Sequence, residues 1–392
     1  MPLRRSLARS VAGAVVGLVL LAGCDAGPRA GAPHPGAEPG PSTASDVTTD
    51  CLATGSLDTV AGINRFVTGV RGGGAFAGGD VGASVQLQDG RRLFVFGDTL
   101  RAPTYQGQQF VRNSMLVFAP GCSRVVLPAA DGGAVIPDRP DGVGYWPMSI
   151  ARIERYGVDL VGVGVQRVRA RGKGVFDFEI LGPSMALFRV PRGGVPQLVT
   201  VRDLGPDHVD PEQPMWGAAA VVRGGWVYLF GTARRRDARI EGFSLRVARV
   251  RPASLAHRAD WRFWDGARWS RRERTAAVLV PSRGGVSQTL SVFRSGGSWY
   301  ALSKRDEVLG SDLTLWRAPR ITGPYVALPP AAHIPSDAAT GTLRYLPLAH
   351  PDLLPVPGTV VVSYSENNTD FQQVREDPRR YRPRFLRIRL PR

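Results

Sequence analysis

The chain repeats one strand pattern five times, and this repeat limits the folds open to it more than any other feature. Each copy contains an opening strand, a hydrophobic second strand and a third strand that usually ends near an arginine, and the copies begin about sixty to seventy residues apart. The opening strands are predicted to begin near Asp80, Trp146, Trp216, Ser287 and His350. Such an array is typical of a propeller. We therefore predict an all-β fold, a five-bladed β-propeller.

The other two strands of each copy follow at regular positions. The second strands are predicted at Leu93–Asp98, Leu160–Gly164, Val227–Thr232, Trp299–Ser303 and Val360–Tyr364. The third strands are predicted at Met115–Phe118, Met185–Arg189, Leu245–Arg249, Leu313–Arg317 and Phe385–Arg389. Because a propeller gathers the ends of its inner strands around one axial funnel, residues that depart from the repeat at these ends are candidates for function.

Blade one departs from the repeat with two acidic residues. Its opening strand begins at Asp80, where blades two and three begin at tryptophan, and its second strand reads Phe-Gly-Asp98-Thr where blade three reads Phe-Gly-Thr232-Ala. Aspartates near glycine and threonine often cap turns or strand ends. Their joint departure from the repeat makes a catalytic pair an equal alternative.

The turn between the two acids predicts a β-hairpin with two alternative registers. A three-residue loop, Gln88–Gly90, with Gly90 in the left-handed conformation, places Asp80 opposite Asp98. A two-residue loop shifts the pairing by one residue. Both registers leave the acids at the same end of the hairpin, but only the first points both to one face, because a one-residue slip reverses the facing.

Further polar and aromatic residues are candidates for binding a substrate at the funnel. Aromatic rings can stack on sugars, although propellers also pack them between blades, and a lone histidine is more often a structural hydrogen-bonding residue. Asp177 and Glu179 are candidates for a third acid, with a solvated edge strand as the simpler interpretation. The predicted binding residues are Trp146, Trp216, Gln288, His350, Tyr364 and Asn367.

The N-terminus has the pattern of an exported lipoprotein. Arg4, Arg5 and Arg9 precede an apolar run that is too short to span a membrane and that ends in Leu-Ala-Gly-Cys24. This ending resembles a bacterial lipobox, in which the cysteine carries lipid. We predict a signal peptide over residues 1–23, a lipidated Cys24 with a flexible Pro/Gly/Ala tether over 24–50, and the propeller over 51–392. The protein is expected at the outer face of the cytoplasmic membrane.

Two cysteines remain for the folded domain. An exported protein meets an oxidising environment, which favours a disulfide between Cys51 and Cys122, with two unpaired buried thiols as the alternative. No Cys/His cluster has zinc spacing, so no metal site and no cofactor are predicted.

The net charge of +17 is typical of proteins that bind an anionic partner. Lys173 and Lys304 are the only lysines, so nearly all the positive charge is arginine. Because an exported lipoprotein meets no cellular DNA, we expect no nucleic-acid partner and instead an anionic lipid surface or envelope polymer. The protein is predicted to be a monomer.

Three segments resemble a known family: the Gly-Asp80 opening, Leu93–Thr99, and the late Val-Ser-Tyr364-Ser-Glu-Asn367. They are similar to the domain of unknown function 4185 family, common in actinobacterial envelope proteins. Its characterised relatives are glycoside hydrolase family 183 endo-D-arabinanases with a five-bladed propeller. The resemblance covers most of residues 70–390 and implies that the relatives' essential aspartates correspond to Asp80 and Asp98. The chain departs from the family in the small residues Val81–Ala83.

The leading hypothesis is an envelope glycoside hydrolase that cleaves a furanose-containing wall polysaccharide, with D-arabinan as the foremost candidate. Asp80 and Asp98 would supply its two carboxyl groups, in roles that the sequence leaves open together with the stereochemical course. The rival hypothesis is a non-catalytic propeller that binds wall glycan or a protein partner. That hypothesis predicts dispensable aspartates and contacts dominated by Trp146, Trp216 and Tyr364.

Overall fold

A computed structural model of the chain describes residues 46–50, 58–119, 122–128, 132–172, 177–237, 242–307 and 310–391. Five antiparallel sheets follow one another along the chain. The innermost strand of each sheet contacts that of the next, and the last contacts the first. The predicted five-bladed β-propeller is therefore confirmed.

Blades one and two contain ten strands. Blade one consists of β1 (Asp46–Asp50), β2 (Gly78–Gln86), β3 (Arg92–Leu100), β4 (Phe110–Val111), β5 (Ser114–Ala119) and β6 (Cys122–Leu127). Its strand order is β1-β6-β5-β3-β2, and β4 pairs with β3. Blade two consists of β7 (Gly144–Arg155), β8 (Val158–Ala170), β9 (Phe178–Pro191) and β10 (Gln197–Asp203). The innermost strands of these blades are β2 and β7.

Blades three to five complete the ring. Blade three consists of β11 (Met215–Arg223), β12 (Trp226–Ala233), β13 (Ser244–Val250), β14 (Arg262–Trp264) and β15 (Trp269–Ser270). Blade four consists of β16 (Ser291–Ser295), β17 (Ser298–Lys304), β18 (Asp312–Ala318), β19 (Val326–Ala327) and β20 (Ala332–His333). Blade five consists of β21 (Thr342–His350), β22 (Thr359–Asn368) and β23 (Arg384–Arg389). Their innermost strands are β11, β16 and β21.

The second strand of each blade is hydrophobic on both faces because each sheet is packed between two neighbouring blades. In β3, the four residues from Leu93 to Phe96 are all buried. The same burial recurs in β12 and β17. This is why the continuous apolar runs in the sequence predicted these strands correctly.

Two short helices lie beside the junction of blades five and one. Helix α1 (Val60–Gly69) is capped at its N-terminus by Thr59, whose side chain accepts from the amide of Gly62. Asn64 on α1 makes two hydrogen bonds to the backbone of Phe385 on β23, each 2.8 Å long. Helix α2 (Phe371–Glu376) lies in the connection from β22 to β23. Helix α1 thus fastens the chain before blade one to the last strand of blade five.

Two predicted opening strands were misplaced. In blade four the strand begins at Ser291, after the predicted start at Ser287. In blade five it runs from Thr342 to His350, so His350 ends the strand that it was predicted to begin. A register shift between Tyr345 and Leu348 accommodates Pro347, and this interruption hid the strand from a reading based on hydrophobic runs.

Additional strands lie at the outer edges of blades one to four, beyond the fifteen predicted. One of them, β1, lies inside the predicted tether 24–50 and pairs with β6. Its β-branched Val47, Thr48 and Thr49 favour a strand. The predicted signal peptide, Cys24 and the tether up to residue 45 lie outside the described residues. Within the described residues, no helix is long and apolar enough to span a membrane.

Candidate active site

The hairpin of β2 and β3 sets the relative position of the two aspartates. The amide of Leu87 donates to the carbonyl of Arg91 at 2.7 Å, which closes a three-residue loop, and Gly90 has a φ of +86°. The strand pairing next to this loop follows the same register. The three-residue loop of the first predicted register is therefore confirmed, and Asp80 and Asp98 lie at the same end of the hairpin, although the register shifts at Asp80 and does not pair it with Asp98.

An irregularity in β2 shapes the backbone around Asp80. Gly79 pairs with Thr99 and Val81 pairs with Phe96, so Asp80 lies in a β-bulge. Val81 has a φ of +69°, which is unfavourable for a β-branched residue, and its amide donates to Ser365 Oγ at 3.0 Å. Strain of this kind costs about 1–3 kcal/mol and is concentrated at functional sites, where bulges re-aim side chains.

The carboxyl group of Asp80 is held from two blades. Its Oδ1 lies so close to Gly97 of β3 that a Cβ atom at that position would overlap it. From blade five, the hydroxyl of Tyr345 donates to Asp80 Oδ2 at 2.8 Å, and Tyr381 hydrogen-bonds to the same carboxyl group. The sequence reading missed both tyrosines. Tyr345 lies on the misplaced strand β21, and Tyr381 lies between α2 and β23, where no pattern marks it.

The carboxyl group of Asp98 is held by blade two. Trp146 Nε1 donates to Asp98 Oδ1 at 2.6 Å. Arg112, which forms an ion pair with Asp138, also acts on this carboxyl group through its positive charge. Asp80 and Asp98 are thus next to each other but are fixed by opposite neighbours in the ring.

Both aspartates have raised pKa values. Burial raises the pKa of Asp80 from its ordinary 3.8 to about 6, against the hydrogen bonds from Tyr345 and Tyr381 that lower it. Burial also raises the pKa of Asp98, and the negative charge of Asp80 raises it further. Since two nearby carboxylates repel each other, the pair retains a proton at pH values where isolated aspartates are fully ionised. It can present a carboxylate beside a carboxylic acid.

A profile described as Domain of unknown function (DUF5005) matches residues 63–390. The chain belongs to the DUF5005 family. The resemblance to the domain of unknown function 4185 family and to glycoside hydrolase family 183 is not confirmed. No curated protein sequence matches this DUF5005 chain.

Three solved structures are similar to this DUF5005 chain to different degrees. A Bacteroides ovatus protein described as a candidate hydrolase is 18% identical over 80% of this chain and 86% of its own, with a TM-score of 0.58. The Podospora anserina α-L-arabinofuranosidase, crystallised with cellotriose, is 11% identical over 80% and 91%, with a TM-score of 0.47. A Xanthomonas citri GH43_1 enzyme with xylotriose is 12% identical over 80% and 87%, with a TM-score of 0.43. At 18% identity, the likeness to the Bacteroides ovatus structure shows the fold alone.

Three of the predicted binding residues of the DUF5005 chain lie on the network around the aspartates. Trp146 contacts Asp98 directly, and the side-chain amide of Asn367 donates to the hydroxyl of Tyr345 at 3.4 Å. Gln288 Nε2 donates to Gln166 Oε1 at 2.9 Å, and Gln166 lies opposite Trp146 in the pairing of β7 with β8. The network therefore includes groups from blades one, two, four and five.

Phe178 was missed by the sequence reading. Its ring packs edge-on against Trp146 with the ring centroids 4.6 Å apart, and 37% of its surface remains exposed. The neighbouring Glu179 forms ion pairs with Arg169 and Arg171, so the structure does not bring this candidate third acid to the aspartates. Phe178 and Trp146 instead form an aromatic edge beside Asp98.

The structure places Trp216, another predicted binding residue, in the core between two blades. It is 1% exposed and packs among Trp261, Phe263 and other residues of the core between blades two and three. Its Nε1 donates to Glu273 at 2.5 Å. A buried indole with a satisfied donor has no free face for a sugar, so its role is packing.

His350 and Tyr364 also lie away from the aspartates. His350 is 2% exposed at the far end of β21, and its two ring nitrogens share hydrogen bonds with Ser84 and Ser363 at 2.8 and 2.7 Å. Burial lowers its pKa to about 3, which keeps the ring neutral. The predicted placement of His350 at the funnel rim is therefore wrong. Tyr364 packs against the hydrophobic cluster between blades four and five.

Cys122 is disulfide-bonded. Its predicted partner Cys51 lies outside the described residues, although the pairing of Asp50 with Ser123 brings the described chain alongside Cys122. The described residues contain no group of three or more His, Cys, Asp or Glu side chains arranged to hold a metal ion. A cavity of about 510 Å³ lies in the axial channel beyond the aspartates, lined by residues of all five inner strands.

Proposed function

We propose that this protein is a glycoside hydrolase and that Asp80 and Asp98 are catalytic carboxyl groups. Hydrolysis of a glycosidic bond uses ionised and protonated carboxyl groups at the anomeric centre. The observation that carries the proposal is the pair of adjacent carboxyl groups with raised pKa values, held in place by Tyr345 and Trp146. Turn-capping aspartates would instead be solvated and would have lowered pKa values, as Asp265 does, whose carboxyl group accepts from the amides of Arg268 and Ala267.

The substrate that we propose is a furanose-containing wall polysaccharide, and specifically D-arabinan. Trp146 and Phe178 form an aromatic edge beside Asp98, and sugar rings stack on such surfaces. The segments around Asp80, Asp98 and Asn367 that resemble arabinan-cleaving propellers are the segments that meet at the aspartates. The hydrolase description of the Bacteroides ovatus structure agrees with this reaction class.

The rival role, a propeller that only binds glycan, has less support. It relies on Trp146, Trp216 and Tyr364 as the contact surface, and two of these three pack into cores between blades. It also offers no reason for the strained bulge at Asp80. Carboxyl groups that converge at one rim are what an enzyme requires.

We further propose that the protein is exported and attached to the membrane through lipid on Cys24. Replacing Cys24 with Ala removes the thiol that would be lipidated. We expect the variant to lose incorporation of labelled fatty acid and to move from the membrane to the soluble fraction, unless an uncleaved signal peptide retains it. A variant that is processed normally and keeps its lipid label would contradict the lipobox interpretation.

The reaction is tested with the full chain purified in detergent. Wild-type protein is incubated separately with mycolate-type arabinogalactan, an L-arabinan and a xylan, and released oligosaccharides are identified by mass spectrometry. The proposal predicts arabino-oligosaccharides from the arabinogalactan. Binding to arabinogalactan without any release from the three polysaccharides would favour the rival role.

A further inference from the structure

A third carboxyl group lies at the same rim of the funnel, in blade four. Glu307 follows the end of β17, just as Asp98 lies near the end of β3 in blade one. The amide of Gln288 donates to Glu307 Oε2 at 2.8 Å, and the side chain of Ser287 hydrogen-bonds to the same carboxyl group. Glu307 is therefore fixed to the segment that leads into the inner strand β16.

Three hydrogen bonds and one strand pairing connect Glu307 to Asp98 across the funnel. Gln288 Nε2 donates to Gln166 Oε1 of blade two, and Gln166 pairs with Trp146, which donates to Asp98. Blades two and four are separated by blade three in the ring. The hydrogen bond between Gln166 and Gln288 therefore joins two blades that are not neighbours. Glu307 and Asp98 thus lie at opposite ends of one network that spans the rim.

The local backbone at Glu307 also has the features of a functional site. Asp306 and Glu307 adopt φ values of +59° and +64°, two successive left-handed conformations without glycine. Burial raises the pKa of Glu307 to about 7, although the nearby charges of Lys304 and Arg234 lower it. A carboxyl group with this pKa exchanges a proton near neutral pH.

The geometry of the aspartates leaves one catalytic role without a group. Asp80 and Asp98 project from one end of a single hairpin and act on each other's charge, so they approach a bound sugar from the same side. Glycosidases place their two functional carboxyl groups on either side of the bond that breaks. The group facing the leaving sugar must then come from another blade.

We propose that Glu307 is the general acid that protonates the leaving glycosidic oxygen, with the Asp80–Asp98 pair on the other side of the bond. This assignment rests on the proposed glycoside hydrolase function. The bond between the anomeric carbon and the glycosidic oxygen breaks, its electron pair stays on that oxygen, and the proton of Glu307 joins it. Addition of water to the anomeric carbon, with loss of a proton to an aspartate carboxylate, completes the hydrolysis.

The leaving group provides the test. A dinitrophenolate departs without a proton, whereas an alkoxide needs one. Glu307→Gln is compared with wild type on the methyl and the dinitrophenyl glycosides of the arabino-oligosaccharide that the enzyme releases from arabinogalactan. We expect Glu307→Gln to lose about 10²- to 10⁴-fold in kcat/KM on the methyl glycoside and little on the dinitrophenyl glycoside. Asp306→Asn, in the same left-handed turn but at a half-exposed side chain, is the matched control and should retain activity on both.

Equal losses on the two glycosides, or no loss on either, would overturn the assignment of Glu307 while leaving the glycoside hydrolase function in place. If Glu307→Gln does not fold, the pH profile of the wild type decides. The fall in kcat/KM at alkaline pH should then be present for the methyl glycoside and absent for the dinitrophenyl glycoside. A wild type that cleaves neither glycoside nor arabinogalactan would contradict the proposed function, and this assignment with it.

Discussion

Blades one and three use the same backbone arrangement for opposite purposes. In each, an inner-strand residue beside a register shift projects over a glycine of the second strand, and a Cβ on that glycine would overlap the projecting side chain. In blade one the glycine is Gly97 and the side chain is Asp80. In blade three they are Gly231 and Trp216. The repeat therefore preserves the close approach of an inner-strand side chain to a glycine of the second strand. In blade three this side chain packs in the core, and in blade one it is a carboxyl group that we propose to be catalytic.

The two side chains, Trp216 and Asp80, also differ in their effect on stability. Trp216 fills the core between blades two and three with its donor satisfied. Asp80 is a buried carboxyl group with a raised pKa, so its ionisation opposes folding at neutral pH. Blade three gains stability from Trp216. Blade one loses some stability because Asp80 is ionised in a buried position.

The largest effect is expected in blade three. Replacing Trp216 with Ala leaves a large cavity, and we expect the free energy of unfolding to fall by about 3–5 kcal/mol. Urea denaturation measures this change. A variant as stable as the wild type would contradict the packing role of Trp216.

In blade one, by contrast, a substitution is expected to raise the free energy of unfolding. Asp80→Asn removes an ionisation that the fold disfavours, and its amide oxygen can still accept from Tyr345. A pKa shift from 3.8 to about 6 corresponds to a gain on the order of 3 kcal/mol above pH 6. Because the wild-type carboxyl group is protonated in both states below its ordinary value of 3.8, the gain should disappear there.

Asp89, in the loop of the same hairpin, provides the control for that sign. Burial opposes its ionisation, but hydrogen bonds from Arg91 and the amide of Gly193 lower its pKa to about 2. Asp89→Asn should therefore destabilise the protein above pH 4 and lose this effect toward pH 2. Urea denaturation across this pH range checks both variants, and a common sign for the two would contradict the electrostatic argument.

Substitutions at Gly97 and Gly231 test the shared backbone arrangement directly. Gly97→Ala should displace the Asp80 carboxyl group and lower kcat/KM by about 10²-fold, since small displacements of catalytic groups have effects of this size. Gly231→Ala should instead overlap the indole of Trp216 and lower the free energy of unfolding by about 1–3 kcal/mol, with little change in kcat/KM of the folded protein. A loss of stability alone in Gly97→Ala, together with a loss of activity alone in Gly231→Ala, would contradict the comparison of the two blades.

The sequence predicted the propeller because strands packed between blades appear as apolar runs at a regular spacing. It also singled out Asp80 and Asp98 as candidates, since an acid that replaces tryptophan or threonine in a repeat is visible in the sequence. It did not show that Trp216 packs between two blades while Asp80 lies in the funnel, because the burial of a side chain depends on the neighbouring blade. Tyr345 was hidden by Pro347, and Tyr381 and Glu307 reach the rim through contacts distant along the chain.

Release of oligosaccharides from arabinogalactan by the aspartate variants tests the central claim most directly. Wild type is compared with Asp80→Asn, Asp98→Asn and the exposed control Asp141→Asn, all confirmed as folded by circular dichroism. We predict that the first two lose about 10²- to 10⁴-fold in rate or more, and that Asp141→Asn keeps the wild-type rate. Turnover at the wild-type rate by both Asp80→Asn and Asp98→Asn would contradict the account.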